Sequence, residues 1–164
     1  MGSLYIMSLL FQHPANFIAL GAGSGLLGIA PGTCGALLGW YLGRLSLPQA
    51  DSPAGLSLLM LGVMIVLFFL LGAWACQIAG HRLGNADDGR IVIDEVWAMW
   101  LIILVVGDRL GLQIAGFVLF RIFDIYKPGP VAYFDQIKNS LGVMLDDLAA
   151  ALLTLLCLAL WIRF

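Results

Sequence analysis

Charge is the scarcest property of this sequence: Asp, Glu, Lys and Arg make up 11% of its 164 residues, against 62% hydrophobic ones. Soluble domains carry about 25% charged and about 45–50% apolar residues. A water-soluble chain of this length buries only about two-thirds of the surface its unfolded form exposes. A mean hydropathy of +1.00 therefore excludes an ordinary soluble domain and makes lipid the solvent. Histidine is nearly absent: His13 and His81 stand in unrelated contexts, which argues against a histidine-nucleophile phosphatase. The cysteines Cys34, Cys76 and Cys157 are odd in number, show neither disulfide nor metal spacing, and read as packing residues. A net charge of −2 leaves no basic field for nucleic acid. The first twenty residues hold no Lys or Arg, so they do not read as a secretory signal, and the N-terminus is expected to be retained.

Long apolar runs fill the space that charge leaves. Leu56 to Ala79 carries no charge over 24 residues, enough at 1.5 Å per residue to cross a hydrocarbon core of about 30 Å. Thr33 to Leu42, Val96 to Gly107, Leu112 to Phe120 and Leu148 to Ile162 are the other apolar stretches. Several are short of the ~20 residues a span needs, which predicts helices whose functional ends dip into the membrane. The expected fold is thus all-α: a polytopic helical bundle of about five spans, one domain over residues 1–164, with short or re-entrant helices around one site. The segments from Pro48 to Pro53 and from Asn85 to Gly89 read as turns, Asp108-Arg109 as a tight turn, and Pro128-Gly129-Pro130 as a helix stop.

Alternation of spans places the glycine-rich segment near Ser24, the segment Asp87 to Glu95 and the segment Asp124 to Asp147 on one side. That side collects eight of the ten acidic residues, with Arg82, Arg90, Arg121, Lys127 and Lys138. Arg44, Arg109 and Arg163 fall on the other, so the positive-inside rule makes the acidic face cytoplasmic.

Three acidic groups stand at span edges: Asp94-Glu95, Asp124, and Asp146-Asp147. An unpaired charge there costs several kcal/mol, so paired carboxylates imply a compensating cation. An all-oxygen set without Cys or His suits a hard ion, Mg²⁺ first. Helix capping is the plainer use of each group, but three groups on one face, with Arg121 and Lys127 between them, favour function. Arg121, Asp124 and Lys127 at i, i+3 and i+6 line one helical stripe. From Gly21 to Gly35, six of fifteen residues are glycine. Bare amides with Ser24 and Thr33 could cradle a phosphate, or the small residues could serve close helix packing. Three apparent motifs lead nowhere. G-x-G-x-x-G from Gly23 to Gly28 needs a βαβ unit that is missing. Cys76 and Arg82 have thiol-phosphatase spacing but lie at the end of an apolar helical run. An aspartyl-phosphatase DxDxT is not present.

Taken in order, Gly23 to Leu26, Ala30 to Thr33, Ile91 to Glu95, Phe120 to Pro130 and Gly142 to Asp147 resemble the bacterial phosphatidylglycerophosphatase A family over about residues 17 to 155. Ala98 departs from the family's usual glycine, and Cys34 lies at a variable position. The resemblance implies a Mg²⁺-dependent, multi-pass enzyme of the bacterial inner membrane. Such an enzyme removes the terminal phosphate of phosphatidylglycerophosphate. On that reading Asp94, Glu95, Asp146 and Asp147 are expected to hold metal. Asp124 serves as a further ligand or orients water, Arg121 and Lys127 take phosphoryl oxygens, and Ser24, Gly25 and Thr33 complete the phosphate pocket. An aspartyl-phosphate through Asp94 or Asp124 stays open, as does a homo-oligomer. The rival is a cation or proton transporter built on the same carboxylates, which leaves the Gly-Ser-Gly and Arg121-to-Lys127 elements without a task.

Overall fold

The computed structural model describes residues 8–47 and 54–163, and over them it is all-α. After a helical stretch over 8–11, its helices are α1 (Pro14–Ala19), α2 (Pro31–Leu45), α3 (Ala54–Leu83), α4 (Ile93–Val106), α5 (Leu110–Tyr126), α6 (Pro130–Asp135) and α7 (Ser140–Arg163), with a 3₁₀ segment, Gly21–Leu26, between α1 and α2. The turn read between Pro48 and Pro53 lies outside the described residues.

Helix α4 is the axis of the bundle. Almost all of it is buried, from Ile93 through Ile103, with Ala98 fully enclosed. At 14 residues it is about 21 Å long, too short to cross a ~30 Å core unaided. Burial on every side by α2, α3, α5 and α7 removes that need, because protein rather than lipid meets its ends. Its indoles fix the neighbours: Trp97 donates to the Ile65 carbonyl at 3.2 Å and Trp100 to the Ser46 hydroxyl at 3.1 Å. Phe69 and Phe68 meet the same two rings edge-on at 5.1 and 5.2 Å.

The contact of α2 with α4 depends on missing side chains. A Cβ added at Gly35 would stand 2.8 Å from Val92 Cβ, at Gly39 2.3 Å from the Val96 carbonyl oxygen, and at Gly43 2.7 Å from Ile103 Cβ. Glycines four apart let two backbones approach closely where the lipid-facing sides offer no hydrophobic gain.

Helices α3 and α7 are the two described helices long and apolar enough to cross a membrane. Helix α3 buries Ala73, Cys76 and Ala79 but leaves Leu58, Leu59, Val63, Val66 and Leu67 exposed, as a lipid-facing flank would. The bundle's two ends differ in chemistry. At one, Arg44 pairs with Asp108 at 3.0 Å while also donating to a fully buried Gln113. At the other lie the acidic segments.

Replacing Gly39 by Ala is expected to cost about 1–3 kcal/mol, because the new methyl meets main chain that cannot step aside. Gly62→Ala, with nothing within 4 Å of its added Cβ, should instead gain up to about 1 kcal/mol of helix propensity. Thermal unfolding midpoints in detergent check both signs.

Candidate acidic active site

A cavity of about 170 Å³ opens where α4, α5 and α7 meet the loop after α3, lined among others by Asp87, Asp94, Glu95, Asp124, Lys127, Asp146 and Asp147. Four separate stretches of chain supply these groups. Asp94 and Glu95 occupy the first turn of α4, where the partial positive charge of the helix start favours them. No side chain caps that helix start; Asp94 Oδ1 instead accepts from the Glu95 amide at 3.1 Å. Asp146 and Asp147 sit in the second turn of α7, because that helix begins at Ser140, with Asn139 Oδ1 accepting from the Leu141 and Gly142 amides. They are too deep to be helix caps, the plainer use the sequence allowed them.

Oxygens of Asp94, Glu95 and Asp147 lie within 4.8 Å of one another. Asp94 and Asp147 are 9% and 3% exposed, and Glu95 Oε2 and Asp147 Oδ2 are enclosed with no hydrogen-bond partner. Nearby cations do not neutralise this triad. Arg121 is committed to Asp124 at 2.6 Å and reaches Glu95 only at 4.0 Å. Lys127 hydrogen-bonds Asp146, at 2.8 Å, and Asp135. Two buried carboxylates and a partly buried third without a matched counter-charge need added positive charge. The donor set is all oxygen and two of its atoms are orphaned, so the site fits a hard divalent cation.

Asp146 lines the same cavity but turns one oxygen to Lys127 and the other to the Asp147 amide, at 3.0 Å. Lys127 is not on the stripe of Arg121 and Asp124 that its spacing suggested. It ends α5 in the left-handed region, φ 46°, ahead of Pro128, and so swings off the helix towards α6 and α7. Burial opposes its charge, but the hydrogen bonds it donates to Asp135 and Asp146 outweigh that and hold its pKa above the usual lysine value. The same bond keeps the Asp135 carboxyl below the usual carboxylate range. Asp135 was not singled out in the sequence; its distance of eight residues from Lys127 across a Pro-Gly-Pro break follows no helical period.

The glycine-rich segment divides. Gly25 and Gly35 serve close packing: a Cβ at Gly25 would stand 2.0 Å from the Arg90 carbonyl oxygen. Gly32 reaches the site, where a Cβ would come 2.3 Å from Glu95 Oε1 and 3.2 Å from the Arg121 guanidinium. Ser24 Oγ is enclosed and unpartnered, yet neither Ser24 nor Thr33 lines the acidic cavity. Cys76 is fully buried within α3.

Apolar helices that gather carboxylates, an arginine and a lysine at one end suit an enzyme that meets a charged group at a membrane boundary. Residues 17–162 match the family described as phosphatidylglycerophosphatase A, and the chain belongs to that family. Phosphatidylglycerophosphatase A of Haemophilus influenzae is 39% identical over 85% of this chain and 83% of its own length. The Escherichia coli protein of the same name is 32% identical over 87% and 80%. A Bacteroides thetaiotaomicron protein, provisionally named a phosphatidylinositol-3-phosphatase, is 37% identical over 87% and 89%. No solved structure matches the chain.

Lys127→Met strips Asp135 and Asp146 of their shared partner and is expected to cost about 1.5–3 kcal/mol at pH 7. Asp135, lowered in the fold, contributes fully above the ordinary carboxylate range and loses that contribution as pH falls through its folded value. Lys127, raised in the fold, contributes up to the ordinary lysine range and loses it at higher pH. The gap in unfolding midpoint between wild type and Lys127→Met should therefore hold at neutral pH and shrink below about pH 4.

Proposed function

We propose that the chain is a phosphoric monoester hydrolase that converts phosphatidylglycerophosphate to phosphatidylglycerol and inorganic phosphate. The observation that carries this reading is the convergence of Asp94, Glu95 and Asp147 oxygens within 4.8 Å beside two cation–carboxylate pairs. Asp94, Glu95 and Asp147 would hold Mg²⁺, with Asp146 as a further ligand from the cavity wall. Bound there, Mg²⁺ supplies charge neutralisation at the phosphoryl oxygens and lowers the pKa of water.

The chain's own residues do the rest. Arg121 presents a planar fork to non-bridging oxygens while Asp124, 2.6 Å away, fixes its direction. Lys127, tethered between Asp135 and Asp146, places an ammonium at the rim for the same oxygens. Asp124 orients the attacking water and takes its proton. The missing side chain at Gly32 lets Glu95 and Arg121 sit directly against α2, with Ser24, Gly25 and Thr33 as the outer part of the phosphate pocket.

We read the fold as five spans, α2, α3, α4, α5 and α7, in the bacterial inner membrane with the acidic end cytoplasmic. Five of the eight basic residues, Arg82, Arg90, Arg121, Lys127 and Lys138, lie towards that end. A site at a helix end meets the headgroup at the polar boundary while the acyl chains stay in lipid. A transporter would need carboxylates along a path through the bundle, whereas Asp94, Glu95, Asp124 and Asp147 share one end.

Purified protein should release phosphate from phosphatidylglycerophosphate, lose that activity in EDTA and regain it with Mg²⁺. Asp94→Asn and Asp147→Asn should each lower kcat by about 10²–10³-fold without lowering yield or unfolding midpoint; wild-type turnover in either sinks the ligand assignment. Phosphatidylinositol 3-phosphate, offered in parallel, should be turned over more slowly. In spheroplasts, an impermeant thiol reagent should reach a cysteine placed at Asp108 and not one placed at Asp87; the reverse pattern rejects the orientation.

A further inference from the structure

We infer that the groove between α6 and α7 holds an acyl chain of the lipid substrate, an inference that rests on the phosphatase reading above. The groove encloses about 310 Å³ and every side chain lining it is apolar, including Pro130, Phe134, Leu145, Ala149, Leu152 and Leu156. Leu145, Ala149, Leu152 and Leu156 repeat at the 4-3-4 spacing of one helix face. That stripe follows α7 for about 16 Å along its axis. Helix α6 roofs its upper end with Pro130 and Phe134.

Continuity with the acidic cavity identifies the occupant. The residue after Phe134 is Asp135 and the residue after Leu145 is Asp146, and Lys127 hydrogen-bonds both carboxylates. The two walls of the groove are therefore joined at the top by the ammonium that rims the phosphate site. A molecule with its phosphate at that rim presents its aliphatic part to the groove mouth. A peptide would leave its amides unpaired among these side chains. A second apolar depression on α3, around Leu59, Gly62, Val63 and Val66, lies on a helix with no charged residue from Ala54 to Ala79, and fits bulk lipid only.

The test compares phosphatidylglycerophosphate bearing two palmitoyl chains with the same headgroup bearing two butyryl chains. Tryptophan at position 152 or 156 fills the groove from its exposed side. In Leu152→Trp and Leu156→Trp the ratio of kcat/KM for the long-chain over the short-chain substrate should fall about tenfold. In Val63→Trp it should keep the wild-type value. A benzophenone amino acid at 152 should capture the long-chain lipid, and one at 63 should show no preference for it over bulk phospholipid. An unchanged ratio in both groove variants overturns the inference, as does an equal fall in Val63→Trp. So does a change of oligomeric state in the groove variants with no change in ratio, which would assign the groove to a second copy of the chain. Should wild type release phosphate from neither substrate, the phosphatase reading fails by itself. The photocapture pattern then decides the groove, and equal capture at 152 and 63 overturns it.

Discussion

Three carboxylates held together in an apolar bundle dictate much of how this chain is built. Asp94, Glu95 and Asp147 share a space where neither bulk water nor a matched cation neutralises them. Each such charge costs several kcal/mol unless compensated, so the fold must supply a cation, a helix dipole or hydrogen bonds. It supplies them unevenly. Asp94 and Glu95 begin α4 and gain from its dipole, but Asp147, two turns into α7, gains nothing of the kind. The flanking pairs Arg121–Asp124 and Lys127–Asp146 compensate their own members and leave the triad for something that arrives from outside.

That demand explains why the central helix is short. A helix that ended in water could be longer, but its first-turn carboxylates would then be solvated and weakly coupled. Helix α4 instead ends inside the bundle, and its backbone is tolerated there because neighbouring helices cover it. The neighbour that comes nearest is α2, through Gly35, Gly39 and Gly43. The same close approach brings Gly32 against Glu95 and Arg121 at the site. Packing in the apolar layer and geometry in the polar one are thus parts of a single helix–helix contact, and a side chain on that seam would shift both.

The sequence made the helices readable where apolar runs are long, and the acidic end readable because the acidic segments stand at the ends of those runs and meet at one cavity. It was less informative at helix ends. The apolar run from Leu148 hid the fact that α7 starts at Ser140, since Gly142 must pack against the Ile137 carbonyl, 1.8 Å from its would-be Cβ. Polarity alone could not show this, and it turns Asp146-Asp147 from apparent caps into groups carried inside the bundle. Lys127 left its stripe because Pro128 disfavours the right-handed helical conformation in the residue before it, and Lys127 takes the left-handed one. Asp135 and the short helix α6 carried no periodic signal. The glycines allowed two uses at once, and only the distances separate Gly25 and Gly35, which pack, from Gly32, which faces the carboxylates.

The geometry also decides which chemistry the other reactive side chains can join. Cys76 and Arg82 have the spacing of a thiol phosphatase, but both belong to the unbroken helix Ala54–Leu83. Six residues along a helix is about 9 Å of rise and roughly 240° of rotation, so thiol and guanidinium cannot close on one phosphate. The thiol is fully buried, with no loop of free amides around it. His13 is occupied as the cap of α1, accepting from the Ala15 amide at 3.1 Å. His81 lines a separate cavity with Gln77 and Lys138. Proton transfer in the proposed reaction therefore falls to the carboxylates. Among them Asp124 suits the task best on the proposed reading, because its arginine partner holds it aimed at 2.6 Å, while the triad offers its oxygens to a cation.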